Sequence, residues 1–290
     1  MTRRFTTFVG VDLGGARGKT TAVAQIRRGQ DGRAWVQAVE TRHRGEPWVD
    51  DTLLGFVEGL GDDVVVAIDA PLTSPACGRC TLAVCPGVEA CVDPAVVWLR
   101  SDGRALTEDT AVAADVVGGH SVTRTPARPR LRIQPYAHRC TELVVCYEHG
   151  LLPPSSVGGS VGLIAHRAVH LRRRLLRAGF ALNQNLIEVS PAATIAALFD
   201  RRRARGYKRD ADPWETRAEI IEALDDLEFA PSSRLAREDV LRNDHCFDAV
   251  IDAYTAYLWT RDGWQMPGGD AGPFAEDGWI WTPPTPAKRR

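Results

Sequence analysis

Asp63-Val64-Val65-Val66-Ala67-Ile68-Asp69-Ala70-Pro71 is a short, continuous apolar run bounded by acids and closed by a proline. A run of that length, rich in β-branched residues, predicts a strand covered on both faces, as in the centre of a parallel or mixed sheet. Working outward, residues 50–61 predict a helix leading into this strand. Residues 5–13 predict a buried strand carrying Asp12 near its end, and Gly14, Gly15 and Gly18 follow as a turn. Residues 19–26 and 33–41 alternate well enough to complete an antiparallel meander. Downstream, residues 71–155 are irregular and rich in Cys, Pro, Gly and Arg. They are too long for a simple loop and predict an insertion with some structure of its own. A helix is expected over 160–179 and a strand at Leu186-Ile187-Glu188-Val189. Ser190-Pro191 and Asp212-Pro213 are helix starts, the second opening a helix over 213–228. Asp244 is a candidate cap for a last long helix over 245–261. A meander that passes through a helix to further strands is an α/β layout.

The chain has 290 residues, enough for one elaborated domain or two small ones. Its formal net charge is −1, so attraction to nucleic acid must come from local basic patches. No stretch of about 18 uninterrupted apolar residues occurs, and the N-terminus lacks a signal-peptide pattern, so a cytoplasmic location is expected. Seven cysteines in a reducing compartment favour free thiols or a metal site over disulfides.

Four acids occupy comparable places. Asp12 lies near the end of the first strand, Asp69 ends the fourth, Glu188 is on the fifth, and Asp248 is on the last helix with Asp244 and Asp252 four residues to either side. An acid in an apolar strand is costly to bury unless it is paired or metal-bound. Carboxylates converging from separate elements suit two-metal phosphodiester hydrolysis, with Mg²⁺ or Mn²⁺ as the ions. Taken singly, each acid also reads as a turn former or cap.

Phe8-Val9-Gly10-Val11-Asp12-Leu13, Ala67-Ile68-Asp69-Ala70-Pro71-Leu72, Ile187-Glu188-Val189-Ser190-Pro191-Ala192-Ala193-Thr194 and Phe247-Asp248-Ala249-Val250-Ile251-Asp252-Ala253 resemble, in order, the signatures of one family. It is the predicted RNase H-like nuclease family catalogued as domain of unknown function 429. The resemblance runs from about residue 8 to Gly278-Trp279-Ile280-Trp281, which looks like the family's closing strand. It implies an RNase H-like mixed sheet flanked by helices, with site acids at Asp12, Asp69, Glu188 and Asp248 and an inferred nuclease activity. The Arg139-Cys140-Thr141-Glu142 stretch is also similar to the family, which implies that Arg139 and Glu142 approach the site. The sequence departs from the family at Ser190 and in its Cys-rich insertion.

The turn Gly14-Gly15-Ala16-Arg17-Gly18-Lys19-Thr20 lacks the first glycine of a phosphate loop, because Leu13 stands there. It is read as a hairpin turn from which Arg17 or Lys19 could contact a nucleic-acid backbone. Cys77-x2-Cys80-x4-Cys85-x5-Cys91 places four thiols within 15 residues, a candidate Zn²⁺ set ahead of an iron–sulfur cluster; scattered reduced thiols are the alternative. Arginines at 124, 128, 130 and 132, at 172–174 and at 201–209 are either phosphate contacts or solvated faces. The leading expectation is a metal-dependent nuclease or phosphodiesterase acting on nucleic acid, with Asp12, Asp69 and Asp248 as ligands and Glu188 as a further ligand or water-orienting group. Alternatives are a sugar-kinase- or actin-like ATPase relative, suggested by Val11-Asp12-Leu13-Gly14-Gly15, and a non-catalytic nucleic-acid-binding module. A homodimer is considered because related resolvases are dimers.

Overall fold

The computed structural model describes residues 5–15, 17–18, 20–108, 116–117, 120–121, 133–151, 157, 159–269 and 272–284. Lys19 and the arginines at 124, 128, 130 and 132 lie outside these residues.

Seven strands form the main sheet: β1 (Thr7–Asp12), β2 (Ala22–Arg28), β3 (Ala34–Glu40), β4 (Val64–Ile68), β5 (Leu186–Val189), β6 (Leu227–Phe229) and β7 (Ile280–Trp281). Their spatial order is β6-β3-β2-β1-β4-β5-β7. β2 runs antiparallel to β1 and β3, whereas β1, β4, β5 and β7 pair in parallel and β6 is parallel to β3. The longer helices are α1 (Asp50–Gly59), α2 (Cys140–His149), α3 (Gly159–Arg177), α4 (Pro191–Leu198), α5 (Arg203–Arg209), α6 (Pro213–Glu222), α7 (Arg234–Arg242) and α8 (Asp244–Asp262). The architecture is therefore a mixed α/β sheet flanked by helices. Among the described residues, no helix is long and apolar enough to cross a membrane.

Strand alternation divides the apolar side chains between two layers. Phe8, Ala24, Val65, Ala67, Ile187 and Val189 face one core, which is completed by α8. Val9, Val11, Val66, Ile68 and Leu186 face the other, completed by Leu53 and Val57 of α1 and Leu171 and Leu175 of α3. All positions from Cys246 to Leu258 of α8 are buried, so this helix is a central element with no solvent face over that span. It packs onto β1 at Gly10, where a Cβ would lie 2.0 Å from the Ala249 carbonyl oxygen and 2.3 Å from the Ala253 nitrogen. Glycine is required there by contact between two backbones.

The expected meander, first helix, central strand, fifth strand and last helix are present. Three readings are corrected. The helix expected over 213–228 stops at Glu222, and the chain then forms β6, whose Leu227 is buried and pairs with Ala34 of β3. The cap of α8 is Asn243, whose side chain accepts the His245 N–H, while Asp244 lies in the first turn. β2 starts at Ala22, later than expected, because the turn after β1 is held open by the contacts described below. The insertion contains short helical turns at Ala76–Arg79, Pro94–Trp98 and Arg104–Glu108, a π-helical turn at Leu99–Gly103, and α2. A small core of Ala95, Val96, Leu99, Cys140, Leu143 and Phe274 holds these together.

Candidate metal centre

β1 and β4 are adjacent parallel strands with Val11 beside Ile68, so Asp12 and Asp69 leave their C-terminal ends side by side. Alternation puts Asp12 on the face of Phe8 and Gly10, and Asp69 on the face of Val65 and Ala67. α8 lies across that same face. The close contact at Gly10 brings the helical turn bearing Asp248 and Asp252 down onto the strand ends. One carboxylate oxygen from each of Asp12, Asp69 and Asp248 lies within 4.8 Å of the other two. Asp248 is buried, whereas Asp12 and Asp69 remain partly open to solvent.

Crowding raises the proton affinity of this group. Burial, then the charges of Asp248 and Asp12, hold the Asp69 carboxyl well above the usual range. Burial pushes Asp248 up to about 7 despite the opposing charge of Lys208. Asp252 is likewise raised by burial and by Asp69 and Asp248, and neither of its oxygens has a hydrogen-bond partner among the described residues. Two basic side chains meet the cluster. The Lys208 Nζ sits 2.5 Å from Asp248 Oδ2, and His245 Nδ1 sits 2.5 Å from Asp12 Oδ2. The Asp12 hydrogen bond raises the His245 pKa; for Lys208, burial pulls downward and the Asp248 charge outweighs it. Four carboxylates thus face one lysine and one histidine, and oxygens gathered this closely with unsatisfied lone pairs fit a hard divalent cation.

Glu188 is not part of this group. It lies by alternation on the face of Leu186, opposite to Asp12, and its carboxylate is fully engaged. Arg139 Nη1 donates to Glu188 Oε2 at 2.8 Å and Nη2 to Oε1 at 2.6 Å, while the Leu72 N–H donates to Oε2 at 2.8 Å. Arg139 Nε also donates to Glu142 Oε1 at 3.0 Å, and Nη1 to Thr73 Oγ1 at 2.9 Å. Arg139, Glu142 and Glu188 are all buried. Burial alone would lower the Arg139 pKa, and Glu188 and Glu142 outweigh it, so the guanidinium stays charged. Four of the five guanidinium N–H groups of Arg139 are thus bonded inside the protein. Glu188 is likewise committed to this clasp, in which it holds the turn that follows Asp69.

Lys208 and Arg167 were missed in the sequence. Lys208 stands among six basic residues and nothing in that run distinguishes it. Arg167, from the middle of α3, is buried and fixes the glycine turn after Asp12. Its Nη1 donates to the Gly14 and Gly15 carbonyls at 2.7 and 2.8 Å, and its Nη2 to the Trp48 carbonyl at 2.8 Å. Its Nε reaches Asp50 Oδ1 at 2.8 Å. Asp252 had a signal, since an acid four residues from Asp248 in an almost wholly apolar helix shares its face. The four insertion thiols are free; Cys77, Cys80 and Cys85 are exposed and Cys91 partly so.

The family model described as "Protein of unknown function (DUF429)" matches residues 10–271, nearly the whole chain and both strand acids, Glu188 and Asp248 included. No curated protein and no solved structure matches. The chain belongs to the DUF429 family of proteins of unknown function.

Proposed function

We propose that this protein is a divalent-cation-dependent nuclease of RNase H-like fold. The reading rests on one observation above all: Asp12, Asp69 and Asp248 bring carboxylate oxygens within 4.8 Å of one another at the ends of adjacent parallel strands. The strand order β3-β2-β1-β4-β5, with β2 the antiparallel member, supports the RNase H-like assignment, as does the resemblance of the four acid-bearing segments. The residues present fit Mg²⁺ or Mn²⁺, with Asp12, Asp69 and Asp248 as the holding groups. Bound there, such ions would polarise a phosphodiester and lower the pKa of a water nucleophile.

The chain's own groups have separable roles in this reading. Lys208 favours the ionised form of the buried Asp248. His245, part-exposed, holds a proton at Nδ1 against Asp12. Asp252, one helical turn beyond Asp248, stands close enough for the charges of Asp69 and Asp248 to act on it. The Glu188–Arg139 clasp fixes the Ala70–Thr73 turn through the Leu72 N–H and Thr73 hydroxyl, so it positions Asp69 without touching substrate.

The test is hydrolysis of single-stranded, duplex and hybrid nucleic acids with Mn²⁺, comparing wild type with Asp12→Asn. Turnover by wild type, reduced at least about 10³-fold in the variant, is expected; that corresponds to about 4 kcal/mol of barrier. No cleavage of any substrate, or equal cleavage by both proteins, would end this reading.

A further inference from the structure

Residues 80–90 form a stretch in which every residue is exposed and none is helical or in a strand. Leu82, Val84 and, just beyond, Val92 are 61%, 82% and 86% exposed, so the stretch contributes no core of its own. Fixing a backbone costs about 1–2 kcal/mol per residue, and little here offsets that. The main protein contact is Arg100, whose Nη1 donates to the carbonyls of Val88, Glu89 and Cys91 at 2.8, 2.6 and 3.3 Å.

What the stretch does carry is sulfur. Cys77 lies in the helical turn Ala76–Arg79, its N–H anchored on the Pro135 carbonyl at 3.1 Å, and Cys80 follows that turn. Cys85-Pro86-Gly87 lies in the middle of the exposed stretch. Gly87 takes φ 85°, and its N–H points at Cys85 Sγ at 3.4 Å. Cys85, Cys91 and Cys80 are all near enough for their charges to bear on the Cys77 thiol. Arg100 pins Cys91 at the far end of the loop. Four free thiols thus fall within 15 residues of one largely exposed loop, anchored at Cys77 by the Pro135 carbonyl and at Cys91 by Arg100.

We propose that Cys77, Cys80, Cys85 and Cys91 form a four-thiolate structural zinc site that staples the insertion. Thiolates select a soft ion such as Zn²⁺ over the Mg²⁺ or Mn²⁺ suited to the aspartates, so the two centres are sorted by ligand type. The sulfurs are less tightly gathered than the aspartate oxygens; among the described residues only the three aspartates meet the 4.8 Å limit. Zn–S bonds of about 2.3 Å therefore require the loop to draw inward on binding. Its exposed, unpacked backbone leaves room for that closure.

The experiment measures metal content and thiol reactivity of the full chain purified without chelator, followed by replacement of the metal with Co²⁺. One zinc per chain is expected in wild type and in Asp12→Asn alike, and not in the Cys80→Ser/Cys85→Ser variant. Chelation is expected to release four thiols to a thiol reagent. The Co²⁺ form of the wild type should show the intense absorption of tetrahedral thiolate coordination, a readout independent of whether the double variant folds. Freely reactive thiols with no stoichiometric zinc, iron with acid-labile sulfide, a Co²⁺ form without thiolate charge transfer, or zinc lost in Asp12→Asn but kept in the cysteine variant would each overturn the proposal.

Discussion

Two sets of buried charge flank the end of β4, and they are built in opposite ways. On one face, Glu188 receives two bonds from Arg139 and one from the Leu72 N–H, and Arg139 spends its remaining donors on Glu142 and Thr73. On the other face, four aspartates share Lys208 and His245, and both Asp252 oxygens lack a hydrogen-bond partner among the described residues. The first set is closed, with both carboxylates bonded directly to the Arg139 guanidinium. The second is crowded with like charge and open to solvent through Asp12 and Asp69. A buried acid in a strand is thus not functional by position alone. What separates the two sets is whether the protein itself satisfies the charge.

The sharpest way to break this contrast is substitution within each set. Asp12→Asn should remove Mn²⁺-dependent cleavage by about 10³-fold or more while leaving the melting temperature of the metal-free chain close to wild type. Arg139→Ala should do the reverse in kind, because it strands Glu188 and Glu142 in the interior. The expected cost is about 3–5 kcal/mol of stability, read by denaturant unfolding. Unimpaired stability in Arg139→Ala would remove the distinction between a closed set and an open one.

Gly10→Ala probes how the open set is assembled. The new methyl group would meet the α8 backbone, which cannot yield as a side chain tip can. A loss of about 1–3 kcal/mol or more is expected, together with weaker Mn²⁺ binding by calorimetry, because Asp248 and Asp252 ride on the displaced helix. Loss of stability with unchanged Mn²⁺ affinity would show that the helix does not set the site geometry.

The smallest effect is a pH dependence. Asp248 titrates near 7 in the folded chain and near 4 when unfolded. A raised folded pKa stabilises fully below the unfolded value, and that stability is lost as pH rises through the folded value. The metal-free chain should therefore lose stability between about pH 4 and pH 7, and Asp248→Asn should flatten that part of the profile. Excess Mg²⁺ displaces the protons, so its stabilising shift in melting temperature should be larger at pH 8 than at pH 5.5. A metal effect independent of pH would contradict the assignment of Asp248 as a ligand.

The central strands were readable because apolar runs ending in acids, β1 and β4, have few alternatives. Short elements were not: β6 has three residues, too few to show a period, and α5 is masked by its run of basic side chains. Of the site, Asp12, Asp69 and Asp248 were legible as acids on core elements. The placement of Glu188 was harder, although period-two alternation separates it from Ile187 and Val189. Which face those positions occupy depends on the register Ile68–Glu188 with β4, a tertiary fact. His245 was legible beside the acids, three residues before Asp248 on the same helix, whereas Lys208 comes to the aspartates only through the packing of α5, which no local pattern encodes. Arg139 was picked out for its proximity to the acids, whereas its burial and its bonds to Glu188, Glu142 and Thr73 appear only in the fold.

The most direct measurement is anomalous diffraction from a crystal of the full chain soaked in Mn²⁺. The account predicts manganese within bonding distance of Asp12, Asp69 and Asp248, with none beside Glu188. Well-ordered density for the three aspartates with no manganese among them, or manganese bound at Glu188 instead, would contradict it.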